Sequence, residues 1–242
     1  MTFVDQPSTR PIKVTGHRGA MALAPENTAL SLLTAQRDGA DELEIDIRLS
    51  ADDVAVVVHD ATLARICGDP ERDSTLRDLA WDDIRAVELP RGQRVLTLAE
   101  VLELTSRPLQ VEIKEVAAVA ALAAELDRRP DDRRRCLISS FSPASLGEVR
   151  SQLPDLPRGL IVKEYSSDVA TRLENLEVGW LLSGWRGLDA QLVASLQHDG
   201  VSVGAWPVRG PADAARATEL GVAAVTADDP GAARRWLNDV GP

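Results

Sequence analysis

Short apolar runs alternate with helical stretches along most of the chain. The runs predict strands over 12–16, 41–49, 54–58, 109–114, 136–141, 159–162, 179–183, 201–206 and 222–226. Helical patterns lie between them at 27–37, 98–105, 117–128, 143–152, 190–198 and 212–220. Pro25-Glu26-Asn27 precedes the first of these helices and Pro211 starts the last, both ordinary start signals. Such alternation is the mark of parallel β/α units.

Nine strands exceed an eightfold barrel by one, and the surplus strand can be located. Only Ser50-Ala51-Asp52-Asp53 separates the second run from the third. A parallel crossover needs a dozen or more residues, whereas an antiparallel return needs a few. Residues 54–58 are therefore expected to fold back as a hairpin on the second strand. Eight β/α units remain, in about the length of a (β/α)8 TIM barrel. A doubly wound open sheet is the alternative, weakened by the lack of a glycine-rich loop after the first strand. Residues 61–94 are polar and turn-rich and read as a small insertion over the barrel mouth. The whole chain, 1–242, reads as one domain.

Composition narrows the function. Asp and Glu number 38 against 27 Lys and Arg, a formal charge of −11, which makes nucleic acid and anionic lipid surfaces poor partners. No apolar run is long enough to span a bilayer, so no integral membrane association is expected. The start of the chain lacks the pattern of a secretory signal, and two cysteines cannot form a disulfide framework. A cytoplasmic setting is expected. A small anionic substrate remains possible if the site holds a cation.

The residues with chemistry in them gather at strand ends. His17 and Arg18 follow the first strand, at the end where such barrels carry their sites. In Glu42-Leu43-Glu44-Ile45-Asp46-Ile47 the side-chain period of two puts three carboxylates on one face and three apolar residues on the other. The apolar face belongs against the helices, so the carboxylates point inward, where a divalent cation would offset their repulsion. Glu42 lies deepest and is the least suited to reach a metal. A hairpin turn centred on Asp52-Asp53 would bring His59 opposite Asp46, and one centred on Ala51-Asp52 opposite Glu44. Either would place His59 within hydrogen-bonding or metal-shell reach of a carboxylate. Glu112 and Lys114 share one face at the end of the fourth run and add a further carboxylate and an ammonium. Oxygen ligands of this kind suit Mg²⁺ or Ca²⁺ better than zinc. Phe141 and Trp206 end their strands and could wall the mouth. Arg133-Arg134-Arg135 precedes its strand and belongs at the other end, and His198 reads as structural, closing a helix.

Together these residues resemble the glycerophosphodiester phosphodiesterase family. His17-Arg18-Gly19, Pro25-Glu26-Asn27-Thr28, Glu44-Ile45-Asp46, His59-Asp60 with Thr62-Leu63 and Arg65, Glu112-Ile113-Lys114 and Ser139-Ser140-Phe141 match its motifs in order. The resemblance implies a (β/α)8 barrel with a small insertion. It implies a metal-dependent enzyme that hydrolyses glycerophosphodiesters to an alcohol and sn-glycerol 3-phosphate. His17 and His59 would be the acid–base pair, Glu44, Asp46 and Glu112 the metal ligands, and Arg18 and Lys114 the phosphate contacts. The nucleophile would be the glycerol 2-hydroxyl, giving a cyclic phosphate, or water; family analogy favours the 2-hydroxyl, with His17 as base and His59 as acid. Trp206-Pro207-Val208-Arg209 departs from the family's usual Trp-Thr-Val-Asn, and Val95-Leu96-Thr97-Leu98 from Ile-Pro-Thr-Leu. The alternatives are a phospholipase- or lyase-type enzyme of the same barrel superfamily acting on intact lipid, and a non-catalytic barrel that only binds.

Overall fold

The structure, a computed structural model, describes residues 11–240. Nine strands appear: β1 (Lys13–Gly16), β2 (Glu42–Leu49), β3 (Ala55–Val57), β4 (Leu109–Ile113), β5 (Cys136–Ser140), β6 (Arg158–Glu164), β7 (Trp180–Arg186), β8 (Ser202–Val208) and β9 (Ala224–Ala227). Eight of them pair in parallel in the order β1-β9-β8-β7-β6-β5-β4-β2, and β1 closes the ring on β2. The ninth, β3, runs antiparallel along the end of β2. The barrel and its extra hairpin arm are therefore as the spacing of the strands requires.

The helices are α1 (Ala29–Arg37), α2 (Ala64–Cys67), α3 (Trp81–Arg85), α4 (Leu98–Leu104), α5 (Ala118–Asp127), α6 (Pro130–Arg133), α7 (Pro143–Gln152), α8 (Ser167–Leu176), α9 (Ala190–His198), α10 (Pro211–Leu220) and α11 (Pro230–Val240). The long ones ring the barrel. Leu43, Ile45 and Ile47 of β2 are fully buried among Leu32, Leu98 and Leu122 from α1, α4 and α5. A second cluster packs Leu160, Leu181, Val203 and Val225 against helices on the other side. The sheet's outward face is thus the core, and the polar alternates of β2 and β4 must face the barrel axis.

Helices α8 and α11 were not singled out by periodicity. α8 buries only Val169 and Leu173, and α11 buries its first turn, Pro230, Gly231, Ala232 and Ala233. The α1 start also shifts. Its cap is Thr28, whose hydroxyl accepts from the Ser31 N–H, and Asn27 is left outside the helix with φ 58°.

The hairpin turn differs from both expected registers. Ile47 pairs with Val57 and Leu49 with Ala55, and the Ser50 N–H donates to Val54. Three residues, Ala51-Asp52-Asp53, make the connection, with Asp53 left-handed at φ 60°. Three-residue hairpin loops take this form, with the last residue left-handed. Continued upward, the pairing sets His59 level with Ile45, between Glu44 and Asp46. Residues 61–94 hold α2, α3 and two short 3-10 turns, and they bury Leu63, Leu76 and Ile84 against Val56 and Val58. The outer face of the hairpin is the floor of the insertion's own small core.

Candidate active site

Ladder pairing aligns the inward side chains. Asp46 pairs with Glu112 and Glu44 with Gln110 across β2 and β4. Glu44, Asp46 and Glu112 each offer an oxygen, all within 4.8 Å of one another, and all three are buried. Glu42, one step deeper, instead bonds Lys13 Nζ at 2.5 Å and stands outside the cluster.

Two cations press on these carboxylates. Lys114 Nζ donates to Glu112 Oε1 at 2.5 Å and lies 2.8 Å from Asp46 Oδ1. That second approach is off the hydrogen-bond direction, so Asp46 Oδ1 is buried with no hydrogen-bond partner among the described residues. Arg18 Nε, 3.2 Å from Asp46 Oδ2, is likewise buried and unpartnered. Burial would raise the Asp46 pKa, but Lys114, Arg18 and the Asn27 amide outweigh it and hold the carboxyl below its usual range. For Glu44, burial and the Asp46 charge prevail over His17 and the Arg18 N–H and push it up to about 8. Burial also raises Glu112, against the pull of Lys114. Three buried carboxylates share two cations, and one carboxylate oxygen lacks a partner. That donor set fits a hard divalent cation.

The β1–α1 turn is built to face this cluster. Arg18 is left-handed at φ 48°, a conformation disfavoured by about 1 kcal/mol or more for a residue with a side chain. Gly19 follows at φ 82°, and a Cβ there would lie 2.5 Å from Ser31. The strained turn aims the Arg18 N–H at Glu44 Oε2, 2.9 Å away, while Ser31 Oγ donates to the Arg18 carbonyl. Asn27 Nδ2 donates to Asp46 Oδ2 at 2.8 Å.

Each histidine has an aspartate behind it. His17 Nδ1 lies 2.6 Å from Asp228 Oδ1, and His59 Nδ1 lies 2.6 Å from Asp60 Oδ1. A carboxylate only accepts, so both imidazoles donate from Nδ1 and leave Nε2 free. Burial lowers the His17 pKa, but the Asp228 bond and the Glu44 charge prevail and the net shift is upward. For His59 burial wins over Asp60 and Asp46, and the shift is downward. The hydrogen-bond partner of His59 is Asp60 rather than Glu44 or Asp46, because the hairpin register falls between the two.

A chain of ion pairs ties the two histidine-bearing segments together. Arg65 donates to Asp60 Oδ2 at 2.5 Å and to both oxygens of Glu26 at 2.7 and 2.9 Å, and Arg18 Nη1 donates to Glu26 at 3.0 Å. Phe141 and Trp206 meet edge to face at 6.0 Å, and the indole N–H donates to Leu182 O. They wall a cavity of about 60 Å³ reached by His17, Glu44 and Gln110. A larger groove of about 490 Å³ runs beside α4 but touches none of these residues. Arg133 and Arg135 pair with Asp155 and Asp132 before β5, away from the mouth.

This geometry can bind a phosphoryl group at a carboxylate-held cation, with Arg18 and Lys114 beside it and an imidazole to either side. The glycerophosphoryl diester phosphodiesterase family model matches residues 17–232. The chain belongs to that family. Among family relatives, Mycobacterium tuberculosis "Probable glycerophosphodiester phosphodiesterase 1" is 32% identical, over 99% of this chain and 97% of its own length. A glycerophosphodiester phosphodiesterase of Caldanaerobacter subterraneus is 29% identical over 90% of this chain and 94% of its own. The Oleispira antarctica phosphodiesterase solved with its product sn-glycerol-3-phosphate superposes with a TM-score of 0.84 at 26% identity, covering 93% of this chain and 96% of that one.

Several residues now in view had no role assigned from sequence. Glu26, Asn27, Asp60 and Arg65 lay inside matched motifs, but spacing alone could not show that they bridge one another. Asp228 was missed altogether, although an acid directly after the last barrel strand is a readable signal. Arg209, at the departure after Trp206, helps hold Asp228 ionised after the larger effect of the His17 bond.

Proposed function

We propose that this chain is a metal-dependent phosphodiesterase that cleaves glycerophosphodiesters to an alcohol and sn-glycerol 3-phosphate. The observation that carries the reading is the buried Glu44–Asp46–Glu112 cluster set between two aspartate-backed histidines. Glu44, Asp46 and Glu112 would hold one divalent cation, Mg²⁺ or Ca²⁺. When bound, the cation supplies charge neutralisation at the phosphate's nonbridging oxygens.

The rest follows from the chain's own side chains. Arg18 and Lys114, held in place by their carboxylate partners, offer fixed positive charge to the phosphate. His17, held through Nδ1 by Asp228, takes the proton of the attacking glyceryl 2-hydroxyl. Asp228 then stabilises the imidazolium that forms. His59, once protonated at Nε2, gives that proton to the leaving alcohol, with Asp60 holding its Nδ1. Water then opens the resulting cyclic phosphate to sn-glycerol 3-phosphate, giving up a proton to one imidazole while the other protonates the 2-oxygen. Each transfer contributes about 10²–10⁴-fold. Phe141 and Trp206 wall the site beside His17.

No helix among the described residues is long and apolar enough to cross a membrane. The acidic charge and the unpaired Cys67 and Cys136 support a cytoplasmic setting and a small-molecule substrate in place of nucleic acid. The test is release of sn-glycerol 3-phosphate from a panel of glycerophosphodiesters with and without added Mg²⁺ or Ca²⁺. Full turnover in metal-free protein would overturn the reading.

A further inference from the structure

Inside the mouth, the cavity beside His17 and Glu44 has two chemically different sides. Phe141, Leu182 and Trp206 supply an apolar wall, while Gln110 and Thr226 face in with polar groups. Gln110 is only 6% exposed, and its side chain lines this cavity. Its direction is set by the ladder. Gln110 is one step below Glu112 on the same inward face of β4 and pairs with Glu44 across from β2. On β5, level with Glu112, the hydroxyl of Ser139 is buried and unpartnered. An amide that faces a cavity is hydrated there, and a ligand hydroxyl can take that water's place.

The cavity's size limits that ligand. Its inner part, about 60 Å³, has room for a handful of water-sized groups, the scale of a three-carbon polyol. In a glycerophosphodiester the glyceryl unit is constant and the alcohol varies, so the constant part belongs in the inner part of the cavity and the variable part at the mouth. The 2-hydroxyl is next to the phosphate arm, and the terminal hydroxyl reaches farther from the cluster. We propose that Gln110 is a specificity residue: its side-chain amide hydrogen-bonds the terminal hydroxyl of the glyceryl unit, whose carbons lie on the Phe141–Trp206 wall. This rests on the activity proposed above.

The experiment compares Gln110→Met, close in volume and without the amide, with the parent protein on two substrates. One is glycerophosphocholine. The other is its analogue with the terminal glyceryl hydroxyl replaced by hydrogen and the 2-hydroxyl kept. The parent should prefer the true substrate by about 10- to 100-fold or more in kcat/KM, because loss of the hydroxyl leaves the amide unpaired. Gln110→Met should lose most of that preference, falling on glycerophosphocholine while holding its rate on the analogue. It should melt close to the parent, since Met fills nearly the same volume. Equal losses on both substrates, or a preference unchanged in the variant, would overturn the inference. Calorimetric binding separates this from failure of the activity itself. Gln110→Met should weaken sn-glycerol 3-phosphate about tenfold or more and leave inorganic phosphate unchanged, even if neither substrate turns over. Equal weakening of both ligands would also overturn it.

Discussion

Asp228 gives the sharpest handle on the proposed chemistry. Its Oδ1 lies 2.6 Å from His17 Nδ1, and the two side chains are 34% and 27% exposed. A hydrogen bond to a charged group contributes about 1.5–3 kcal/mol, and this degree of exposure favours the lower half of that range. Asp228→Ala should therefore lower kcat about 10- to 30-fold if the bond serves to orient and charge the imidazole. Asp228→Asn should be worse than Ala. The amide can donate to Nδ1, which leaves the proton on Nε2 and blocks its use as a base. The pH profile has a definite sign. Burial lowers the His17 pKa while the Asp228 bond and the Glu44 charge raise it, so removing Asp228 moves it down. A base must be neutral to act, so the acidic limb of kcat/KM should shift to lower pH. The Glu44 contribution is common to parent and variant and drops out of the difference. The assay is kcat and KM across pH with saturating Mg²⁺ or Ca²⁺. A kcat within twofold of the parent, Ala worse than Asn, or an acidic limb moving upward would refute the argument.

Glu112→Gln should weaken cation binding by about 100-fold or more, read by titration calorimetry, because it removes a charge from the donor set while keeping its shape. EDTA should abolish turnover and lower the melting temperature; a cation at 100 times its Kd contributes about 2.7 kcal/mol, or roughly 5–10 °C for a chain of this size. His17→Ala and His59→Ala should each cost about 10²–10⁴-fold in turnover yet bind one cation as the parent does, checked by equilibrium dialysis. Arg65→Ala should reduce kcat without touching the cation, since it frees Asp60 and Glu26 together. Burial raises the Asp60 pKa, but Arg65 and His59 outweigh it and hold it at about 2. That stability is present above pH 4 and fades as pH falls toward 2, so Arg65→Ala should flatten acid unfolding in this window.

The barrel was legible because its strands are apolar on the outer face and its connections are long, so β2 could be read down to which side each residue faces. The carboxylate cluster was legible for the same reason: Glu44 and Asp46 share a face by the period of two, and the Glu112 pair repeats it. What could not be read was register. Whether His59 meets Glu44, Asp46 or neither depends on one residue in the Ala51-Asp52-Asp53 turn, and the left-handed Asp53 sets it. The bridges made by Glu26, Arg65 and Asp228 join segments up to 211 residues apart. Periodicity within a segment carries no information about such pairs. Helix α8 was hidden by a stripe of only two buried residues.

The charge of the site also explains how an acidic chain can take an anionic substrate. Glu44, Asp46 and Glu112 carry three negative charges when ionised, and Arg18 and Lys114 return two. The cluster alone is thus net negative and would repel a phosphodiester. Without a cation it relieves this by holding Glu44 protonated up to about pH 8. A divalent ion turns the balance to a single positive charge, the complement of a singly charged phosphodiester. Binding of substrate and binding of cation are therefore linked, and each should tighten the other by the same factor. A phosphomonoester product carries up to two negative charges, one more than this site offsets. The mismatch favours its departure over its retention, while the bulk charge of −11 acts only beyond the mouth, where salt screens it within about 10 Å.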